Sequence, residues 1–316
     1  MKVVVTDYDF PDLSIERELA EEAGVELEAA QAKSPDEVAA AAEGADALLV
    51  QYARVDESVF ESTDLRAVGR YGIGVDSVDV EAATEHGVSV LNVPAYCIDE
   101  VSTHAFSLLL ACVRNVARYD REIRDGTWDW TVGKPIRRFA GRTLGLAGFG
   151  KIPRAVTEKA RAFDLDVVVY DPYVDAEDVE SHGAEKVEFE ELLERSDFVS
   201  VHAPLTEETE RMFDADAFDA MDDAAILVNT ARGSVVDVDD LYDALTGGRI
   251  GGAGIDVMPT EPPEDRSLFE LENVVATPHV SWYSEDSYEE LRRTVTSDVL
   301  GVLHGDEPQN PVNELD

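Results

Sequence analysis

The chain has 316 residues, of which 68 are Asp or Glu and 26 are Lys or Arg, giving a formal net charge of −42. That surplus of anions excludes sequence-independent binding to nucleic acid, which relies on cations to displace phosphate counterions, and it disfavours docking on an anionic membrane. With 44% hydrophobic and 8% aromatic residues the chain has the core-forming material to fold, and two domains are expected because single cores rarely grow past about 250–300 residues.

From the N-terminus, strand-like runs alternate with acidic amphipathic stretches: Lys2–Thr6 then Leu13–Ala23, Ala47–Gln51 then Glu57–Ser62, Ala67–Tyr71 then Val78–His86, and Val88–Val93. Such alternation predicts a parallel sheet with helices on both faces. A first α/β unit closes near Pro94, and Asp99–Arg124 reads as one long helix with Asp99 as N-cap and Asp125–Gly126 as its stop. After the aromatic stretch Thr127–Trp130, six strands are expected at Thr143–Ala147, Asp166–Asp171, Phe198–His202, Ala225–Asn229, Ala253–Val257 and Val274–Thr277. A last helix, Glu285–His304, has no strand after it and can return to the first domain, making that domain discontinuous. The expected fold class is α/β, with two doubly wound parallel sheets.

The longest apolar runs, such as Leu108–Val113, fall far short of the roughly 18 residues a membrane span needs. Met1–Thr6 enters a strand without a charged-then-apolar leader, so a soluble, cytoplasmic protein is expected. Cys97 and Cys112 read as reduced thiols, and no Cys/His spacing resembles a metal site. Only six of the cations are Lys. A small domain more usually carries a net charge of about 2–8, and molar salt shrinks the Debye length to about 3 Å, so the acidic excess predicts a halophile's cytosolic protein.

The clearest local motif is LAGFGKIP, Leu146–Pro153, between a predicted strand and a helix through Phe163. Gly148 permits a tight turn there. Gly150 lets the backbone approach a pyrophosphate, whose charge meets the helix N-terminus. Asp171 follows Gly150 by 21 residues at the next strand end, where a carboxylate accepts from ribose hydroxyls and repels a 2′-phosphate, favouring NAD(H). Pro153 replaces the usual third glycine and is tolerated in a helix's first turn. YGIGVD at Tyr71–Asp76 is a control: 21 residues past its Gly74 stands Ala95, which is no acid.

Of six histidines, His86, His182 and His304 precede Gly at helix ends, where a cation offsets the helix dipole, and His104 reads as a packing or surface residue within a helix. His202 and His279 follow strands of the second sheet, at the carboxyl edge where open α/β sheets place ligands. The same edge supplies Arg232 in NTARGSVVD and Glu261 in DVMPTEPP. Reduction of a 2-keto acid needs a planar cation for the carboxylate, a proton donor, and a group that holds the donor, roles that Arg, His and Glu can fill. On the residues alone, Arg232 is equally a loop anchor and Glu261 one of 68 solvated acids.

The ordered series YGIGVDSVD, NVPAYCIDEVSTHAFSLLL, GRTLGLAGFGKIP, VYDPY, VHAPLTEET, NTARGSVVD, GAGIDV, EPP and TPH resembles the D-isomer-specific 2-hydroxyacid dehydrogenase family over nearly the whole chain. YCIDEVS and HVSWYSEDSYEELR with the closing PVN are similar to the branch named for C-terminal-binding protein. The resemblance implies an NAD(H)-dependent enzyme interconverting 2-keto acids and D-2-hydroxy acids, usually a homodimer, with Trp128 and Trp130 either at the interface or packed within the chain. It also implies a Rossmann NAD-binding domain (99–284) inserted in a flavodoxin-like substrate domain (1–98 plus 285–316), closing about a hinge.

Carried over by position, Arg232 binds the substrate carboxylate, His279 is the acid/base and Glu261 pairs with it. The backbone at Ile73, Gly74 and Val75 also reaches the carboxylate. The cofactor meets Gly148, Gly150, Lys151 and Ile152, Asp171 at the ribose, Ala203, Thr230, Ala231 and Arg232, Asp256 at the carboxamide, and His279. His202 becomes a wall residue. Val280, Ser281, Trp282 and Tyr283 stand where phosphoglycerate dehydrogenases typically carry small residues, so Trp282 is expected to narrow the substrate pocket or stack on a substrate side chain, or equally to face the nicotinamide edge. Thr103 replaces an acid of the helix motif, and no compact Arg/Lys cluster in the first domain suggests a phosphate pocket, although Arg54 and Arg70 fall near predicted strand ends and could serve. The competing implication is an NAD(H)-sensing interaction protein like the C-terminal-binding co-repressors.

Overall fold

The computed structural model describes residues 1–315 and divides the chain into two compact units, Met1–Tyr96 with the segment from Ser284 onward, and Cys97–Tyr283. The first unit opens with β1 (Lys2–Val5), α1 (Ser14–Glu22), β2 (Glu26–Ala29), α2 (Pro35–Ala41), β3 (Ala47–Val50), α3 (Glu57–Glu61), β4 (Ala67–Arg70), α4 (Val80–Glu85) and β5 (Ser89–Leu91). The second unit holds α5 (Ile98–Val113), α6 (Val116–Arg124), β6 (Thr143–Ala147), α7 (Lys151–Ala162), β7 (Asp166–Tyr170), α8 (Ala176–Ser181), β8 (Glu185–Lys186), α9 (Phe189–Arg195), β9 (Phe198–Val201), α10 (Ala215–Ala220), β10 (Ile226–Asn229), α11 (Val238–Thr246), β11 (Gly252–Ile255) and β12 (Val274–Ala276). The final helix, α12 (Glu285–His304), belongs to the first unit.

In the first unit five parallel strands take the order β2-β1-β3-β4-β5, the flavodoxin-like arrangement. The inner strands KVVV, ALLV and AVG are short continuous apolar runs, as a sheet covered on both faces requires. The expected pattern lacked β2 and α2. ELEA alternates acid with apolar residue on an exposed edge, so no buried run announces it, although its backbone pairs in register from Lys2↔Glu26 to Val5↔Ala29. α2 starts with a capping box, Ser34 with Glu37, and Pro35 at its first turn.

α12 is held in the first unit by a buried ion pair with α1. Glu16 is 0% and Arg292 3% exposed. The guanidinium forks onto the carboxylate, with Nε donating to Oε1 at 2.8 Å, and it also donates to the Asp12 carbonyl. Beyond α12 the chain is tied back by Asp298, which accepts from the amides of Gln309 and Asn310, and Pro311 bridges Leu91 so that the edge of β5 is covered.

The second unit has seven parallel strands, not six, in the order β12-β11-β10-β9-β6-β7-β8, a doubly wound sheet whose order reverses at β6. The addition is β8, two residues long. The single long helix expected over Asp99–Arg124 is two helices. Asn115 adopts the left-handed conformation, φ 51°, and its side-chain amide donates to the Gly133 carbonyl, so the chain turns between α5 and α6. The N-cap is Cys97 rather than Asp99. Cys97 and Cys112 are both buried, with no disulfide between them, and burial pushes the Cys112 thiol up to about 12. Among the described residues no helix is long and apolar enough to cross a membrane.

The Glu16–Arg292 pair generates a stability prediction. Arg292→Met leaves a buried carboxylate uncompensated and should lower the unfolding free energy by about 3–5 kcal/mol in a denaturant titration, while Glu16→Leu combined with Arg292→Met should recover much of the loss. A single variant as stable as the parent chain would contradict the reading.

Candidate active site

The turn from β6 into α7 is built on two glycines with different jobs. Gly148 has φ +99°, and a Cβ there would sit 2.9 Å from Ala203 N and from the His202 carbonyl carbon, so only glycine lets this turn lie against the end of β9. Gly150 is the N-cap of α7, no side chain caps it, and a Cβ would meet nothing within 4 Å. Open space in front of an uncapped helix N-terminus suits a phosphate. Lys151 and Ile152 form the first turn, Lys151 exposed, and Pro153 is buried there without disturbing the helix.

Asp171, at the end of β7, pins the glycine turn: its Oδ2 accepts from Phe149 N at 2.8 Å and its Oδ1 from Tyr173 N at 2.8 Å. One protein donor on each oxygen leaves acceptor capacity for ribose hydroxyls. At the end of β10 the Thr230 hydroxyl is buried without a protein partner, as a residue awaiting a ligand contact would be. These features fit a dinucleotide.

The Thr230–Arg232 turn is shaped by Asn229, which is 1% exposed. Its side chain accepts from Ala231 N and donates to the Arg232 carbonyl, both at 3.0 Å. The Arg232 guanidinium donates to the Ala231 carbonyl at 2.8 Å. Gly233 then touches the next loop so closely that a Cβ would lie 2.0 Å from the Met258 carbonyl carbon. The Arg232 loop therefore packs backbone to backbone against the loop that leads to Glu261.

His279 is a non-glycine residue with φ 53°, an uncommon backbone state that must be imposed by its surroundings. Its amide donates to the Asp256 carbonyl at 2.7 Å and to the Thr277 carbonyl at 3.1 Å. The enclosed Asp256 carboxylate accepts from Val280 N at 2.9 Å, Ser281 N at 3.0 Å and the Thr277 hydroxyl at 2.6 Å. Trp282 adds its indole N–H to the His279 carbonyl at 3.0 Å. The imidazole so placed meets Glu261, Nδ1 to Oε2, at 2.6 Å, and the other oxygen of Glu261 accepts from Met258 N. Partial burial pushes the Glu261 carboxyl up, but the bonds from His279 and Met258 outweigh this and hold it below its ordinary value. Since a carboxylate only accepts, Nδ1 carries the hydrogen and Nε2 is left for chemistry.

His202 is no competitor. Burial pushes its imidazole down to about 3, and its Nε2 lies 2.9 Å from the Ser200 hydroxyl, so it is neutral near pH 7. His86 and His182 close α4 and α8, and His304 bonds the Leu300 carbonyl. In the first unit, the turn after β4 leaves the amides of Ile73, Gly74 and Val75 without hydrogen bonds among the described residues, while Asn92 holds the Ile73 carbonyl at 2.7 Å. Successive unpaired amides make an anion-binding concavity.

Sequence reasoning missed four contributors: Asn229, Gly233, Thr277 and His104. Their positions inside NTARGS and TPH were a signal for the first three. His104, read as a packing or surface residue, instead places Nε2 2.9 Å from the Thr277 hydroxyl.

Residues 106–281 match the family model described as the NAD binding domain of D-isomer specific 2-hydroxyacid dehydrogenases. The chain is 41% identical over 267 residues to the glyoxylate reductase of Korarchaeum cryptofilum, covering 82% of this chain and 80% of that one. It is 37% identical over 316 residues to the D-3-phosphoglycerate dehydrogenase of Methanocaldococcus jannaschii, covering 99% of this chain; it spans only 59% of that relative's length. The crystal structure of the D-lactate dehydrogenase of Aquifex aeolicus, complexed with NAD and lactic acid, superposes with a TM-score of 0.89 at 27% identity, covering 99% of this chain and 100% of that one. The chain therefore belongs to the D-isomer specific 2-hydroxyacid dehydrogenase family, and its second unit carries the family's NAD-binding domain.

Proposed function

We propose that the chain is an NAD(H)-dependent oxidoreductase that interconverts 2-keto acids and D-2-hydroxy acids. The observation that carries this reading is the 2.6 Å contact of His279 with Glu261 at the carboxyl edge of the second sheet, in a frame shared with the Arg232 loop. The cofactor is held by the Gly148–Gly150 turn, the start of α7, Asp171, Ala203, the Thr230–Arg232 turn and the Asp256–His279 region. When bound, NADH supplies the hydride for C2. Arg232 forks onto the substrate carboxylate and polarises the carbonyl. His279 delivers a proton from Nε2 to the carbonyl oxygen in reduction and removes it in oxidation, while Glu261 keeps the ring oriented. Trp282, anchored to the His279 carbonyl, forms part of the substrate wall.

The acidic surface supports a halophile's cytoplasm as the setting, and the run His279–Arg292 supports a place beside the C-terminal-binding-protein branch. Trp128 and Trp130 are 89% and 69% exposed, and Val116 and Ile123 on α6 are 55% and 51% exposed. Exposed large apolar side chains of this kind support a homodimer.

Two measurements test these assignments. NADH oxidation in molar KCl should be seen with 2-keto acids in a panel from glyoxylate and pyruvate to phenylpyruvate and 3-phosphohydroxypyruvate, and be weaker with NADPH because of Asp171. Arg232→Ala or His279→Asn should lower kcat/KM by about 10²–10⁴ with NADH binding retained. Silence across the panel with NADH still bound would contradict the enzyme reading and favour an NAD(H) sensor. Sedimentation should give a dimer that Trp128→Ala with Trp130→Ala weakens; a parent chain monomeric at high concentration would exclude that partner.

A further inference from the structure

We infer that His104 is a positioning residue for the acid–base pair, acting through the Thr277 hydroxyl and the buried Asp256 carboxylate on the backbone that carries His279. The inference rests on the proposed roles of His279 and Glu261.

Donor and acceptor arithmetic sets the direction of the chain of bonds. The Thr277 hydroxyl has one hydrogen, and it is donated to Asp256 Oδ1 at 2.6 Å. The same oxygen lies 2.9 Å from His104 Nε2, and having no second hydrogen it must accept there, so His104 carries a hydrogen on Nε2. The imidazole also lies 3.8 Å from Asp256 Oδ1 directly. Asp256 in turn receives the amides of Val280 and Ser281, the two residues after His279. His104 stands on α5, Thr277 just after β12 and Asp256 just after β11. Three elements are thus joined by side chains at the one turn whose left-handed residue points an imidazole at Glu261.

Without the His104 donor, the Thr277 hydroxyl is released to rotate among other acceptors, and Asp256 shares its remaining donors less firmly. The turn then samples positions in which His279 leaves Glu261. Chemistry suffers from such misplacement more than cofactor binding does, because proton delivery depends on position within a fraction of an ångström.

The test is steady-state reduction of the best keto acid by the full chain in molar KCl, with thermal midpoints recorded alongside. His104→Phe should lower kcat about tenfold with KM for NADH unchanged. His104→Gln, which keeps a donor, should recover most of the loss. Thr277→Val should match His104→Phe, and the double variant should be no slower than either single, since all act through one chain of bonds. Equal loss in His104→Phe and His104→Gln, or losses that multiply in the double variant, would overturn the inference. So would a lowered midpoint with kcat intact in His104→Phe. Full kcat in His279→Asn would overturn both this inference and the acid–base assignment; an inactive His279→Asn beside a fully active His104→Phe would overturn this inference alone.

Discussion

The site depends on one buried carboxylate. Asp256 is 2% exposed, and a carboxylate that far from water is tolerated only when its oxygens are met by donors. Here the donors are the Thr277 hydroxyl and the amides of Val280 and Ser281, while the residue's own amide goes to the Asn229 carbonyl and its carbonyl takes the His279 amide. One residue therefore joins the ends of β10 and β11 to the turn after β12. That turn holds His279 at φ 53° with its amide on the Asp256 carbonyl and the next two amides on the Asp256 carboxylate.

The parallel sheet makes such convergence possible. All strands of the second unit end on one edge, so loops distant in sequence meet there with little chain spent in connection. Close backbone contacts then set the spacing. Gly233 against Met258 locks the loop bearing Arg232 to the loop bearing Glu261, and Gly148 against the His202–Ala203 backbone seats the helix N-terminus beside β9. The proposed catalytic residues thus sit on short loops, and the backbone beneath them sets their spacing.

Much of this was legible in the chain itself. Buried parallel strands read as apolar runs, which is why the alternation predicts both sheets, and α12 runs over Glu285–His304 as its pattern implies. What escaped were elements whose stability is not written in apolar periodicity: β2 is acidic, β8 has two residues, and the break at Asn115 is a single left-handed residue bonded to a carbonyl 18 positions away. The role of His104 escaped for a related reason. A hydrogen bond between residues 173 positions apart leaves no local trace, and a histidine inside a helix looks the same whether it packs or holds a distant loop. Gly148, Asp171, Arg232, Glu261 and His279 stand out as candidates in the sequence because their chemistry and their place after a strand coincide.

The central claim is that Asp256 holds the acid–base pair in its working position. The measurement that tests it most directly is kcat for Asp256→Asn, with circular dichroism and NADH fluorescence titration on the same preparation. An asparagine keeps the size of the side chain but turns one acceptor into a donor facing an amide. The account predicts a fall in kcat, measured at saturating NADH, of at least about tenfold in a folded protein; a folded variant with the parent chain's kcat would contradict it.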